Sequence, residues 1–160
     1  MKHIAAVLQN AIAIALPNLQ AINNENASIK PQIDKWSHKE IIGHLIDSAC
    51  NNHQKMVRTM ANQHLEFVGY QQNFWVEIQQ YNQANWHDLL SIWQGYNLQI
   101  AHIMSVVDSE VLQNTITIDG TGPFALQFIM EDYPQHLIHH VKQILPDIDL
   151  TSRFVNVYNA

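Results

Sequence analysis

The sequence predicts an all-α protein: a four-helix bundle of the up-and-down type, with a short extra helix between its second and third long helices. Four segments of about 20 residues repeat apolar side chains at three- and four-residue steps, which is the helical period. Strand-like alternation is confined to Thr115–Ile118, and one strand alone cannot form a sheet. At 160 residues the chain suits one bundle, so residues 1–160 are expected to form a single domain.

The first predicted helix begins near the N-terminus and runs to about Leu19. Its helix-periodic apolar positions are Ile4, Val7, Leu8, Ala11, Ile14 and Ala15. Met1 and Lys2 followed by apolar residues also resemble a secretory signal peptide, but Gln9 and Asn10 interrupt the apolar run. We therefore favour a helix of the mature protein.

The second helix is expected to run from Ser37 to about Met60. Ser37 with Glu40 three residues later forms a capping-box pattern, which marks a helix start. The apolar stripe that follows consists of Ile42, Leu45, Ile46, Ala49, Met56, Val57 and Met60. Between Gln63 and Tyr81 the period is lost, which predicts a loop with one short helix near Asn73–Gln80.

The last two long helices follow the loop. Asn85 and Asp88 mark the start of the third, whose apolar period continues to Asp108. Pro123 suits a first helical turn and Pro146 ends a helix, so the fourth is expected over Pro123–Leu145. Pro134 lies inside it and is expected to kink its axis.

The composition excludes several classes of protein. Hydrophobic residues make up 47% and charged residues 14% of the chain, which is unlike disordered or collagen-like chains. The net charge of -6 provides no positive surface for a phosphate backbone, so no nucleic-acid partner is expected. No apolar run reaches the roughly 18 residues of a membrane span. The lone Cys50 favours a reducing compartment, here the cytoplasm.

The ten histidines are the unusual feature of the composition. His136 and His140 lie four residues apart on the fourth helix, so both rings project from one side and can hold one ion, although such pairs also arise by chance. Asp132 extends this row by one turn and can ligate the ion or fix the orientation of an imidazole. His139 points away from the row and is expected to be exposed.

A third ligand must come from another helix, because catalytic zinc-like ions usually have three protein ligands and an open position. The second helix offers His53, which lies within its apolar stripe, and His44, which lies far from the centre of that stripe. Periodicity does not decide between them. His44, Asp47 and Asn51 form a polar stripe that suits either a wet groove or a solvent-exposed face.

Two segments resemble a known family. Trp36–Ala49 reads WSHKEIIGHLIDSA and Asp132–Ile144 reads DYPQHLIHHVKQI. With Lys30-Pro31 and the region around Gly69-Tyr70, they resemble the DinB-like (YfiT-like) superfamily of metal-dependent hydrolases over nearly the whole chain.

The resemblance implies a four-helix bundle that holds a divalent ion, with His44, His136 and His140 as ligands. Nickel and zinc are the expected metals, and manganese and iron are alternatives. The resemblance thus favours His44 over His53, which becomes a packed or hydrogen-bonded histidine. Pro134 stands where the family commonly has an ordinary helix-forming residue. Because it lies two residues before His136, it would change the direction of the His136 ring.

Two reactions suit such a site. Three neutral imidazoles leave positions of the ion to water, which permits hydrolysis of a small-molecule substrate. The resemblance also implies thiol S-transferases, in which the ion binds a low-molecular-weight thiol. The candidates for proton transfer are Asp132 and Asp47. For Asp132, orienting an imidazole is the favoured role. For Asp47, a structural hydrogen bond is equally well supported.

The alternative is a protein of another functional class, a non-catalytic bundle. Such a bundle either binds a small ligand or holds an ion that ties the second and fourth helices together. Aromatic side chains offer walls for an apolar pocket, but a role in the core is favoured; they are Tyr70, Trp75, Tyr81, Trp86 and Trp93. The motifs of serine hydrolases, nucleotide-binding loops and dithiol redox proteins are not found in the sequence. A homodimer agrees with the resemblance, and no sequence feature requires it.

Overall fold

The computed structural model describes residues 1–158, which form five α-helices and three β-strands. The helices are α1 (Lys2–Gln20), α2 (His38–Met60), α3 (Gln72–Ile78), α4 (Trp86–Val106) and α5 (Leu126–Ile144). The strands are β1 (His64–Phe67), β2 (Thr115–Ile118) and β3 (Thr121–Ala125). Within residues 1–158, no helix is both long and apolar enough for a membrane span.

The four long helices are arranged with α1 and α2 on a diagonal of the bundle. Each of these two helices packs against α4 and α5, and they barely meet each other within the described chain. This neighbour order differs from the predicted up-and-down order, in which short loops join helices that are in contact. Residues 21–37 form a connection long enough to cross one end of the bundle, which is why consecutive helices need not be neighbours.

The apolar stripes of these helices meet in one core. Trp86 and Trp93 of α4 are fully buried there, which agrees with the core role favoured for them. The indole Nε1 of Trp86 donates a hydrogen bond of 3.0 Å to the carbonyl oxygen of Leu19 and so joins the end of α1 to the start of α4. Buried indole N–H groups need such a partner, because an unpaired one loses its hydration without compensation.

The start of α2 confirms the capping box. The Ser37 hydroxyl accepts a hydrogen bond of 3.3 Å from the backbone N–H of Glu40, and the Glu40 carboxylate accepts one of 2.7 Å from the backbone N–H of Ser37. Lys30 adds an ion pair of 2.9 Å to the same carboxylate. These bonds fix the first turn of α2, from which His44 and Asp47 follow.

A small sheet corrects the all-α prediction. Within the described residues, β2 is the central strand of three: it pairs in parallel with β1 and antiparallel with β3. Thr115–Ile118 is therefore not an isolated strand. Its partner β1 comes from the segment predicted as loop, about fifty residues earlier, and pairing across such a distance leaves no local pattern. Ile116 and Ile118 are buried and join the sheet to the helical core.

The predicted start of the last helix at Pro123 is wrong, because residues 121–125 form β3 and α5 begins at Leu126. Asp119 and Gly120 have φ angles of 47° and 81°, and Ile118 pairs with Thr121, so they form a two-residue hairpin turn. Positive φ at both central residues is typical of a type I′ turn, for which Asp-Gly is a preferred sequence. The signal for this hairpin was therefore present in the sequence.

Candidate metal centre

Three histidines from two helices meet between α2 and α5. His44 comes from α2, His136 and His140 come from α5, and one nitrogen from each ring lies within 4.8 Å of the others. The Nε2 atoms of His44 and His136 are 3.3 Å apart. Two nitrogens that bind one tetrahedral ion at about 2.0–2.1 Å are separated by about 3.4 Å. The structure thus brings the three predicted ligands together, and this pair has the spacing of metal ligands.

The three rings are neutral near pH 7. His44 is 1% exposed, and burial together with the nearby His140 lowers its pKa to about 3. Burial lowers the pKa of His140 to about 4 and holds the pKa of His136 well below its ordinary value. A neutral imidazole has a lone pair for a cation, which an imidazolium lacks. This donor set therefore fits a divalent cation.

Two polar side chains orient the rings on α5. The Oε1 atom of Gln143 lies 3.2 Å from Nδ1 of His140; since a carbonyl oxygen only accepts, Nδ1 is the donor and Nε2 keeps its lone pair. The hydroxyl of Ser48 lies 3.4 Å from Nδ1 of His136. Neither residue was among the predicted site residues, although Gln143 is three positions from His140 and Ser48 is four positions from His44, on the same helix faces. Nδ1 of His44 is buried without a hydrogen-bond partner in the described chain.

Asp132 lies one turn before His136, and its hydrogen-bond partner is Tyr158 rather than a histidine of the cluster. Its Oδ2 accepts a bond of 2.7 Å from the hydroxyl of Tyr158, and burial raises the pKa of this carboxyl. The Nζ atom of Lys55 lies 5.5 Å from the ring centre of Phe67 and 5.6 Å from that of Tyr158. Burial lowers the pKa of Lys55 to about 8. The charge of Lys55 acts on both Asp132 and His136, so Asp132 belongs to a polar group next to the histidines. Its role in proton transfer stays a prediction.

Asp47 is bonded to the segment that carries α3. Its Oδ1 accepts hydrogen bonds of 2.8 Å from the Tyr81 hydroxyl and 2.9 Å from the Gln79 amide. Its Oδ2 is buried without a partner in the described chain, and burial raises the pKa of the carboxyl. These contacts are the ones expected from the structural alternative, and proton transfer by Asp47 stays a prediction.

The polar stripe of α2 is buried rather than exposed to solvent. His44, Asp47 and Asn51 have exposed fractions of only 1%, 4% and 8%. The reason is that α2 has a partner on each side: α5 carries the other two histidines, and Tyr81 covers Asp47. Periodicity cannot reveal this arrangement, because it assumes one buried face per helix.

The positions of His53 and His139 agree with the roles predicted for them. His53 is half-buried and packs edge-on against Tyr96, with ring centroids 5.8 Å apart. His139 is exposed. Pro134 is buried within α5 and leaves the rings of His136 and His140 with centroids 4.6 Å apart, so it does not disrupt the pair.

Two aromatic rings contact the cluster, and neither was among the predicted wall residues. Trp36 packs on His44 with ring centroids 5.1 Å apart, and Phe154 packs edge-on against His136 at 5.0 Å. Of the predicted aromatic residues, Tyr70 and Trp75 contact each other, with ring centroids 4.8 Å apart. The walls of the cluster therefore come from the segment before α2 and from the segment after α5.

A model of the DinB superfamily matches residues 3–144, which is most of the chain. The chain belongs to the DinB superfamily. The structure of this DinB protein is similar to that of YfiT from Bacillus subtilis, which is described as a probable metal-dependent hydrolase with an unusual four-helix bundle topology. The TM-score is 0.82 at 15% sequence identity, over 90% of this chain and 83% of YfiT. At this identity the likeness shows the fold. No curated protein matches the sequence.

The lowered pKa values make the stability of the metal-free protein depend on pH. When the pH falls below about 6.5, unfolded chains take up protons on these histidines, whereas folded His140 and His44 take them up only near pH 4 and pH 3. The contribution of these histidines to the free energy of unfolding is therefore complete above pH 6.5, and the free energy of unfolding is expected to fall as the pH decreases toward 4. Urea unfolding of chelator-treated protein at pH 7.5, 6.0 and 5.0 measures this decrease. A variant with glutamine at all three positions should show a smaller slope, and equal slopes would contradict the expectation.

Proposed function

We propose that this DinB protein is a divalent-metal-dependent enzyme that hydrolyses a small molecule, with His44, His136 and His140 as metal ligands. The observation that carries the proposal is the meeting of three neutral imidazoles from two helices at ligand spacing. Family membership and the description of YfiT support it. Imidazole ligands suit nickel and zinc, and manganese and iron are the alternatives.

A divalent ion at such a site supplies Lewis-acid chemistry, which acidifies water or a thiol and polarises a carbonyl group. The chain's own residues would provide the orientation and the proton transfer. Gln143 and Ser48 hold the rings of His140 and His136, as their hydrogen bonds indicate. We assign the movement of a proton to Asp132, because it lies on α5 one turn before His136 and because burial raises the pKa of its carboxyl toward neutral pH.

Asp47 has a second place in this proposal. Its bonds to Tyr81 and Gln79 position α2 against the α3 segment, and its partnerless Oδ2 is the atom that would accept a proton if the carboxylate takes part in the reaction.

A thiol S-transferase would use the same three histidines with a low-molecular-weight thiol as second substrate. A cytoplasmic location and a homodimer also belong to the proposal, and light scattering tests the dimer.

The test is turnover of a panel of esters and amides by untagged protein loaded with nickel or zinc. We expect hydrolysis that chelation abolishes. Asp132→Asn should lower kcat about a hundredfold and remove one limb of the pH profile, while metal content stays unchanged. Asp47→Asn is the matched comparison, because a structural role would lower stability and leave the pH profile unchanged.

Two other outcomes would replace hydrolysis. Turnover that requires added cysteine or glutathione would support thiol transfer. A protein that binds its ion and gains thermal stability, yet turns over no substrate with or without thiol, would support the non-catalytic bundle in which the ion ties α2 to α5.

A further inference from the structure

A cavity of about 380 Å³ opens beside the histidine cluster, and His140 is part of its lining. The other walls come from the segment before α2, from the first turns of α2, from α3 and from the end of α5. Small-molecule sites in proteins typically measure about 300–1,000 Å³, so this cavity has the size of a small ligand. A second cavity of about 410 Å³ lies around His139 and Ser152, and its described lining contains no histidine of the cluster. A small molecule in the first cavity is therefore in contact with the cluster through His140.

The apolar part of the first cavity is formed by Pro31, Trp36 and Ile41. Trp36 is half-buried, and its ring also packs on His44 with centroids 5.1 Å apart. A planar group that lies on Trp36 is thus next to one ring of the cluster, and the same cavity exposes another, His140. Aromatic rings attract each other at centroid distances of about 4.5–7 Å, which makes an indole a suitable floor for a planar ligand.

The charges around the cavity balance. Its lining contains one acid, Asp34, and one base, Lys35, and both are exposed. The polar remainder includes the side-chain amides of Asn73 and Gln143, which offer hydrogen bonds without charge. A site with no net charge does not select an ion, and a charged ligand that enters it loses hydration without a paired opposite charge. In the metal-free protein, these features favour an uncharged ligand.

We propose that this cavity is the substrate site and takes an uncharged small molecule with a planar apolar group, which lies against Trp36 and places its reacting group beside His140. The word substrate rests on the proposed function, whereas binding in the cavity requires no ion. Trp36 is then the residue that determines specificity.

The experiment measures binding of benzyl alcohol, benzoate and benzylamine to metal-free protein, followed by the indole N–H signals of the tryptophans in NMR spectra. The indole signal of Trp36 is identified as the one that is missing from the spectrum of Trp36→Phe. Benzyl alcohol is expected to shift this signal. Trp36→Ala should weaken binding about tenfold, and Trp36→Phe should restore most of it because phenylalanine retains an aromatic face.

A second variant tests the cavity without removing a side chain that packs on the histidine cluster. Asn73 is exposed on α3 and lines the cavity, so Asn73→Trp should fill the cavity and block benzyl alcohol. Gln72→Trp is the matched control, because Gln72 is exposed next to it and lies outside the lining. In the nickel-loaded protein, paramagnetic broadening of the benzyl alcohol signals should occur in the wild type and disappear in Asn73→Trp.

Any of three results would overturn the inference: no binding of benzyl alcohol, unchanged affinity for it in both Trp36→Ala and Asn73→Trp, or tenfold tighter binding of benzoate or benzylamine than of benzyl alcohol. A separate titration of the same metal-free preparations with nickel and zinc distinguishes this inference from the proposed function. If benzyl alcohol binds as expected but nickel and zinc do not, the enzyme proposal fails and the ligand site stands. If metal binds and benzyl alcohol does not, the cavity inference alone fails.

Discussion

Replacement of both α5 histidines, His136→Ala with His140→Ala, is expected to abolish stoichiometric binding of nickel or zinc. The double variant leaves one of the three imidazoles that lie within 4.8 Å of one another. Because an ion that binds only the folded state stabilises it by about 2.7 kcal/mol at a hundredfold excess over Kd, the metal-induced increase in Tm should disappear with the ion. Metal analysis of untagged protein and thermal unfolding with and without added metal measure both effects.

The matched control for this experiment is His102→Ala. His102 is exposed on α4 and lies outside the cluster, so its replacement should leave metal content and the increase in Tm unchanged. Circular dichroism of the metal-free variants verifies that the helices still form. If the double variant retains the metal content of the wild type, the proposed ligand set is wrong.

Replacement of Gly43 by alanine is expected to lower the free energy of unfolding by about 1–3 kcal/mol, the usual cost of overpacking a core. A Cβ atom at position 43 would lie 2.1 Å from Cδ2 of Tyr81, so the ring must move. The Tyr81 hydroxyl is bonded to Asp47, and displacement of the ring breaks that bond within the buried segment of α2. Urea unfolding of the wild type and the variant measures the loss.

Gly95 of α4 is the matched control. Apart from the neighbouring backbone of α4, no atom of residues 1–158 lies within 4 Å of a Cβ atom built there, and glycine inside a helix is less stable than alanine by about 0.5–1 kcal/mol. Gly95→Ala should therefore stabilise the protein, and the two substitutions should have opposite signs. The cost of Gly43→Ala should also shrink in a Tyr81→Ala background, where the obstructing ring is gone; an undiminished cost would contradict the contact as its cause.

Local signals predicted the helices well, because the groups that cap and periodically bury a helix are a few residues apart. Ser37 and Glu40 are bonded across three positions and mark the start of α2 as expected. The sheet was missed for the opposite reason: His64 of β1 pairs with Thr115 of β2, and no short pattern links them. The Asp119-Gly120 turn is the exception, since its signal is local and was not used.

The site shows the same division. His136 and His140 form a pair through one turn of α5, which spacing alone predicts. His44 joins them only because α2 is buried on two sides, and it was the resemblance to a family, not periodicity, that favoured His44 over His53. The partners of the predicted carboxylates also depended on packing: within residues 1–158, Asp132 forms its hydrogen bond with Tyr158 and not with a histidine.

By itself, the sequence determined the long helices, the spacing of two histidines on one turn and the burial of the two core tryptophans, since each follows from neighbours along the chain. Only the tertiary structure decided which helices are neighbours, that Ser48 and Gln143 hold the rings, and that Trp36 joins the cluster to a cavity. These features depend on contacts between segments far apart in the chain, where the free energy of packing and not local geometry selects the partner.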